Sequence, residues 1–220
     1  MMLEHLHPTL RGYFVMGKAL VDGIKKSGVL DEGWQRQRVR SEAAYWAERG
    51  VTELDEQVAH IRISVLRDAW PFKPRNAPQT FVYEPETETQ RLAVKNWERE
   101  ISFEEAHVRM AEYYTRTKEF DKAIAEYRAL MLETPYNDSP FLRAGMLQLS
   151  RNEFDQAKST FLQALDIQPS DVAYKYVGSI FVQQNQAAKG IPYLENALKM
   201  SPRDTQARYN LIGGYLMVRN

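Results

Sequence analysis

Three prolines at a nearly constant interval constrain the fold of this chain more than any other feature. Pro135, Pro169 and Pro202 lie 34 and 33 residues apart, and each follows a segment whose apolar residues have helical spacing. A constant interval of this length indicates a structural repeat, whose units bury their apolar faces only against their neighbours. The sequence therefore predicts units at 104–137, 138–170 and 171–204, and one helix of a fourth unit from Thr205.

Within each unit, small and large residues recur where two antiparallel helices must pack. Small residues let the helix backbones approach, and aromatic residues fill the space between successive pairs. The residues predicted to form this core are Met110, Ala111, Tyr114, Ala123, Tyr127, Leu130, Phe141, Ala144, Gly145, Ala157, Phe161, Ala164, Tyr174, Val177, Gly178, Phe181, Gly190, Leu194 and Ala197.

This pattern resembles the tetratricopeptide repeat (TPR) family over residues 104–220. The resemblance implies an all-α fold, a right-handed superhelix of antiparallel helix pairs. It also implies a concave groove, lined by the first helix of each pair, in which a protein or an extended peptide binds. Residues 86–220 are therefore expected to form a TPR domain that begins with a capping helix.

The rest of the chain is predicted to be a helical extension over 1–70 and a proline-rich connector over 71–85. Thr52 with Asp55 predicts the start of one helix, whose apolar face runs from Leu54 to Trp70 and ends at Pro71; another helix is expected over 34–49. Thr87 with Gln90 predicts the start of the capping helix over 87–101.

The first thirty residues contain the sequence Glu4-His5-Leu6-His7-Pro8, followed by Gly12-Tyr13. This block resembles the last block of the SGNH (GDSL-type) ester hydrolases, a resemblance that gives His7 the role of base and Glu4 that of orienting acid. The sequence contains no Gly-Asp-Ser nucleophile turn. We therefore expect residues 1–30 to be the tail of a hydrolase domain whose body lies upstream. This chain itself is expected to be no enzyme. The alternative is that the Glu4–Pro8 and Gly12-Tyr13 pattern arose without hydrolase ancestry.

Composition excludes several other functions. Lys plus Arg and Asp plus Glu number 29 each, so no general attraction to nucleic acid or to an anionic membrane is expected. There is no cysteine, hence no disulfide or thiolate site. His5 and His7 lack the further ligands that zinc requires, and we expect neither a metal nor a cofactor. His60 and His107 are interpreted as surface or packing residues.

Basic and aromatic residues recur at groove-lining positions of successive units. The predicted partner-binding residues are Arg109, Arg143, Lys175, Tyr176, Tyr209 and Asn210. A guanidinium group can donate two parallel hydrogen bonds to a carboxylate, and tyrosine side chains supply rigid apolar contact area. We therefore expect the partner to be an acidic extended peptide. Glu112 stands where chaperone-binding TPR domains carry asparagine, which disfavours a chaperone C-terminus. A merely solvated helix face is the alternative for these residues.

The predicted function is thus a non-catalytic scaffold that binds a protein or peptide in the groove. The first alternative is the C-terminal part of an SGNH-type hydrolase. The second is self-association as a homodimer, for which the last helix offers exposed apolar residues: Leu211, Tyr215, Leu216 and Met217.

Overall fold

The computed structural model describes residues 9–29, 41–47 and 49–219, and over these residues it contains eleven α-helices and no β-strand. The predicted all-α fold is therefore confirmed. The helices are α1 Leu10–Ser27, α2 Glu42–Ala47, α3 Glu53–Arg67, α4 Glu88–Trp97, α5 Phe103–Arg116, α6 Phe120–Glu133, α7 Ser139–Ser150, α8 Phe154–Ile167, α9 Asp171–Gln183, α10 Ala187–Met200 and α11 Thr205–Arg219.

From α5 onward the helices pack as successive pairs, α5 with α6, α7 with α8 and α9 with α10, while α11 packs on α10 and α9. The small residues predicted at the pair interfaces are buried, among them Ala111, Ala157 and Ala197. Most predicted large residues are buried too, whereas Tyr174 and Phe181 are partly exposed. Packing at these positions explains why one period recurs along the sequence.

Every first helix of a pair, like the capping helix α4, is followed two residues after its end by a residue in the left-handed backbone region. These residues are Arg99, Lys118, Asn152 and Asn185, with φ of 62°, 64°, 62° and 57°. The next backbone N–H donates to the carbonyl five residues earlier, as from Glu119 to Tyr114 at 2.8 Å. This is the hydrogen bond of a Schellman motif, and it reverses the chain into the second helix of each pair.

Helix backbones approach most closely in the third unit. A β-carbon added to Gly178 of α9 would lie 2.6 Å from Leu194 Cγ and 2.9 Å from the Gly190 carbonyl oxygen of α10. In the second unit, Gly145 similarly faces the ring of Phe161. Only glycine fits where the two helices of these pairs cross, because it has no β-carbon. The sequence analysis predicted small residues at these positions.

The chain divides into two compact units, one made of Met1–Glu48 and Arg62–Phe81, the other of Arg49–Ile61 and Val82–Asn220. In the first, Phe14 packs edge-on against Trp46 at a centroid distance of 5.4 Å. Asp68 accepts backbone N–H donors from Thr80, at 2.5 Å, and Phe81, at 2.9 Å, and thereby closes the proline-rich loop.

Helix ends depart from the sequence-based expectations. The helix α3 begins at the predicted Thr52–Asp55 cap, where Asp55 Oδ2 accepts the Thr52 N–H at 2.7 Å, but it ends at Arg67. The prediction for Trp70 was wrong: it lies beyond the helix and is 58% exposed. Trp70 precedes Pro71, and the residue before a proline is disfavoured in the helical backbone region. The capping helix α4 has its predicted capping box and ends at Trp97. Of the helix predicted over 34–49, residues 34–40 lie outside the described residues.

Candidate functional site

Polar contacts join α5 to α7 and α9 to α11. We term the outward surface of these four first helices the first-helix face. It carries the six predicted partner-binding residues. Between α5 and α7, Arg143 Nη1 lies 3.9 Å from Glu112 Oε1. Between α9 and α11, the Asn210 side chain donates to the Ser179 hydroxyl at 2.5 Å. The outward side chains of α5 and α7, and those of α9 and α11, therefore lie close enough to contact one ligand.

Arg143 and Glu112 form the most accessible charged pair of this face. Their side chains are 54% and 58% exposed, so both charges are available to a ligand. Tyr127 of α6, whose pKa responds to the nearby Arg143 charge, is buried. Burial raises the pKa of Tyr127, and the Arg143 charge offsets part of that increase. Tyr127 therefore stays neutral, and the charges of this part of the face are those of Arg143 and Glu112.

Lys175 has a different environment from the one expected. Its ammonium contacts Asp204 at 2.8 Å, with both side chains about four-fifths buried, and lies 5.3 Å from the centre of the Tyr176 ring. Tyr176 in turn stacks on Phe161 at 5.1 Å. The hydrogen bond from Lys175 lowers the pKa of Asp204. Lys175 therefore fastens the start of α11 to α9, and its charge is already compensated.

The remaining predicted residues lie towards the two ends of the face. Arg109 is half-exposed and pairs with Glu105 one turn earlier in α5. Tyr209 is 76% exposed, and Asn210 is held by Ser179 and Gln206. Each of the three basic residues thus has a carboxylate beside it, so the face carries charges of both signs rather than a purely positive track.

A buried charged cluster that the sequence analysis did not predict lies at the first repeat. His107 of α5 is 1% exposed; its Nδ1 lies 2.6 Å from Glu126 Oε2 of α6, and its Nε2 lies 3.3 Å from Asp55 Oδ1 of α3. Of the two interpretations offered for His107, surface or packing, the structure supports packing, but the two carboxylates beside the imidazole were not predicted. One signal was present: Glu126 falls between Ala123, Tyr127 and Leu130 on the predicted packing face of its helix, where an unpaired carboxylate would be costly.

The geometry of this cluster favours a charged imidazole. Burial alone would lower the pKa of His107, but hydrogen bonds to Asp55 and Glu126, and their charges, raise it to about 9. Burial raises the pKa of Glu126, whereas the His107 and Thr52 hydrogen bonds bring the pKa of Asp55 below its ordinary value in spite of burial. The imidazolium therefore donates to both carboxylates and joins α3 to the first repeat.

A second polar contact on the same side reinforces this junction. Tyr114 donates its hydroxyl hydrogen to Glu53 Oε2 at 3.3 Å, and the Lys122 ammonium lies 5.0 Å from the centre of the Tyr114 ring. The N-terminal turn of α3 is thus held by side chains from both helices of the first pair.

The hydrolase-like residues Glu4 and His7, as well as His5, lie outside the described residues. Within the part of the chain that the structure describes, no group of three or more His, Asp or Glu side chains is arranged to hold a metal ion. None of the described helices has the length and apolar content needed to cross a membrane.

Comparison with known proteins finds a tetratricopeptide repeat in the second unit. A family model described as tetratricopeptide repeat matches residues 140–171. The protein CTR9 homolog of Arabidopsis thaliana is 31% identical over 103 residues, which are 44% of this chain and 9% of that protein's length. The solved structure of YrrB, described as a TPR protein with an unusual peptide-binding site, is 20% identical, with a TM-score of 0.47, and the match covers 55% of this chain and 62% of YrrB.

Proposed function

We propose that this tetratricopeptide-repeat protein is a non-catalytic scaffold that binds a protein or an extended peptide along its first-helix face. The TPR fold in general supports protein–protein interaction. The observation that carries the finer proposal is the exposed Arg143 of α7, which lies beside the equally exposed Glu112 of the preceding first helix α5.

The chemistry of these residues defines what the face can hold. Arginine binds a carboxylate through two parallel hydrogen bonds, and an exposed tyrosine contributes apolar area at a low entropic cost. Arg143 is the best anchor because it is more than half exposed, whereas Lys175 is already engaged by Asp204. We therefore assign carboxylate binding to Arg143 and Arg109, and a positioning role to Lys175.

Selection of displayed random peptides on the purified protein tests this proposal. We expect the selected peptides to bind Arg143→Glu and Tyr209→Ala about tenfold to a hundredfold more weakly, because each variant removes one direct contact. Lys189→Glu, an exposed change on the second helix α10, is the matched control and should bind as the parent does. Equal binding to the parent and Arg143→Glu would refute a role for the first-helix face.

A second candidate is the C-terminal part of an SGNH-type hydrolase. It is favoured by α1, whose residues Tyr13, Met16 and Leu20 form an apolar stripe that is more than half exposed and would suit packing on another surface. We expect this chain to hydrolyse no short acyl esters, because its sequence lacks the Gly-Asp-Ser turn. Ester hydrolysis that disappears in His7→Ala would instead favour this candidate.

A further inference from the structure

The facing charges on the first-helix face limit which peptide can bind there; the inference that follows rests on the proposed function. Arg143 and Glu112 are the central pair, with 3.9 Å between Nη1 and Oε1 and more than half of each side chain exposed. Arg109 and Glu105 repeat the same combination on the preceding turns of α5. A ligand at Arg143 therefore always has a carboxylate of the protein next to it.

A purely acidic peptide is poorly suited to this arrangement. Its carboxylate would gain Arg143 but would face Glu112, and it would draw the guanidinium away from that residue. Like charges placed side by side are unfavourable, and an ion pair between exposed side chains is weak enough to be opened by a ligand. A peptide that supplies a charge for each partner avoids the repulsion and leaves neither Arg143 nor Glu112 without a counter-charge.

We propose that the segment bound by the first-helix face carries both an acidic and a basic side chain. The acidic side chain contacts Arg143, and the basic one contacts Glu112. In an extended peptide, side chains two residues apart point to the same side. An acidic and a basic residue at positions i and i+2 would therefore reach the two partners together.

Two features of the structure indicate that the Arg143–Glu112 pair is the one that contacts the charged side chains of the peptide. Its two side chains are 54% and 58% exposed, so both charges are accessible to a ligand. The neighbouring Lys175–Asp204 pair is about four-fifths buried and links α9 to α11, which leaves it unsuited to exchange partners with a ligand. We therefore assign peptide contact to Arg143 and Glu112, which can leave each other to pair with the ligand, and not to Lys175 and Asp204.

Three synthetic peptides of equal length test the inference by fluorescence anisotropy. All have the same apolar frame, and they carry at i and i+2 either Glu with Lys, two Glu or two Lys. We expect the mixed peptide to bind about tenfold more tightly than either other peptide, the difference that one charge-assisted contact makes. Its affinity should fall with increasing salt.

Charge reversal of the protein provides the second arm. Arg143→Glu and Glu112→Arg should each weaken the mixed peptide, and the double exchange, which keeps one charge of each sign, should restore its binding. Lys189→Glu should leave it unchanged. If the acidic or the basic peptide binds as tightly as the mixed one, or the double exchange fails to restore binding, the mixed-charge inference is wrong and the proposed function stands. If none of the three peptides binds, the proposed peptide-binding function itself is overturned.

Discussion

His107 is the residue on which the junction between α3 and the first repeat depends. Its two ring nitrogens face Asp55 and Glu126, and all three groups lie largely out of water. A buried charge without its partner is strongly unfavourable, so the three side chains stabilise the fold only as a set. Removing the imidazole leaves two carboxylates near each other, with their charges uncompensated.

Replacing His107 with glutamine should therefore lower the free energy of unfolding by about 3–5 kcal/mol near neutral pH. Because the folded-state pKa of about 9 exceeds the ordinary 6.5, the charged imidazole stabilises the parent fully below pH 6.5, and this contribution is lost as pH rises through 9. Urea unfolding at several pH values measures both effects.

The control is His60→Gln, because His60 is exposed and lies beside the Tyr83 ring. We expect His60→Gln to retain the stability of the parent and its decline between pH 6.5 and 9. A His107→Gln protein as stable as the parent, or one with the same decline, would show that the buried cluster is not a charged one.

The left-handed residue that follows α5 offers a second test. Lys118 has a φ of 64°, a region that costs residues with a β-carbon roughly 1–2 kcal/mol, and its side chain is exposed. Lys118→Gly should therefore raise the free energy of unfolding by about 0.5–1 kcal/mol after the extra flexibility of glycine in the unfolded chain is subtracted.

The equivalent residue of the second unit serves as the control. Asn152 has a φ of 62°, but asparagine tolerates this region, so Asn152→Gly should change the stability little. Thermal or urea unfolding of the two variants should separate them. A destabilised Lys118→Gly protein would mean that the Lys118 side chain contributes more than its exposure suggests.

At the scale of helices, tight crossings depend on glycine. Gly178→Ala would place a β-carbon 2.9 Å from the backbone oxygen of Gly190, which cannot move without shifting α10. We expect the free energy of unfolding to fall by about 1–3 kcal/mol, the usual cost of overpacking. In contrast, a β-carbon on Gly213 meets nothing within 4 Å, so Gly213→Ala in α11 should stabilise the protein by up to about 1 kcal/mol. Equal effects of the two substitutions would contradict this packing.

The repeat helices and their cores could be predicted because one local packing problem recurs at a fixed interval. Proline, small and aromatic residues such as Pro169, Ala157 and Phe161 mark it in the sequence itself. The charged cluster could not be predicted in the same way, because Asp55 is separated from Glu126 by more than seventy residues and no periodicity links them. The charge balance of the first-helix face also depends on inter-helix neighbours, such as Glu112 for Arg143 and Asp204 for Lys175.

At the scale of the whole molecule, α11 has an apolar stripe on the side that faces away from its buried residues Ala207 and Gly214. Ile212 and Leu216 are 54% and 59% exposed and lie one helical turn apart. An amphipathic stripe of this kind is typical of a surface that packs against another helix. The helices within each pair pack through apolar stripes of this kind. The α11 stripe of a second copy of the chain could pack against this one in the same way, which would make a symmetric contact.

We therefore expect the protein to self-associate through α11, with sedimentation coefficients that rise from nanomolar to high micromolar concentration. Replacing both Ile212 and Leu216 with glutamate should keep the protein monomeric, because it places charges in the apolar contact. At low concentration the same variant should unfold as the parent does, since both side chains are exposed. Leu20→Glu in the exposed stripe of α1 is the matched control and should leave the association unchanged. A parent protein that stays monomeric throughout this range, or an association that only Leu20→Glu abolishes, would show that α11 is not the contact surface.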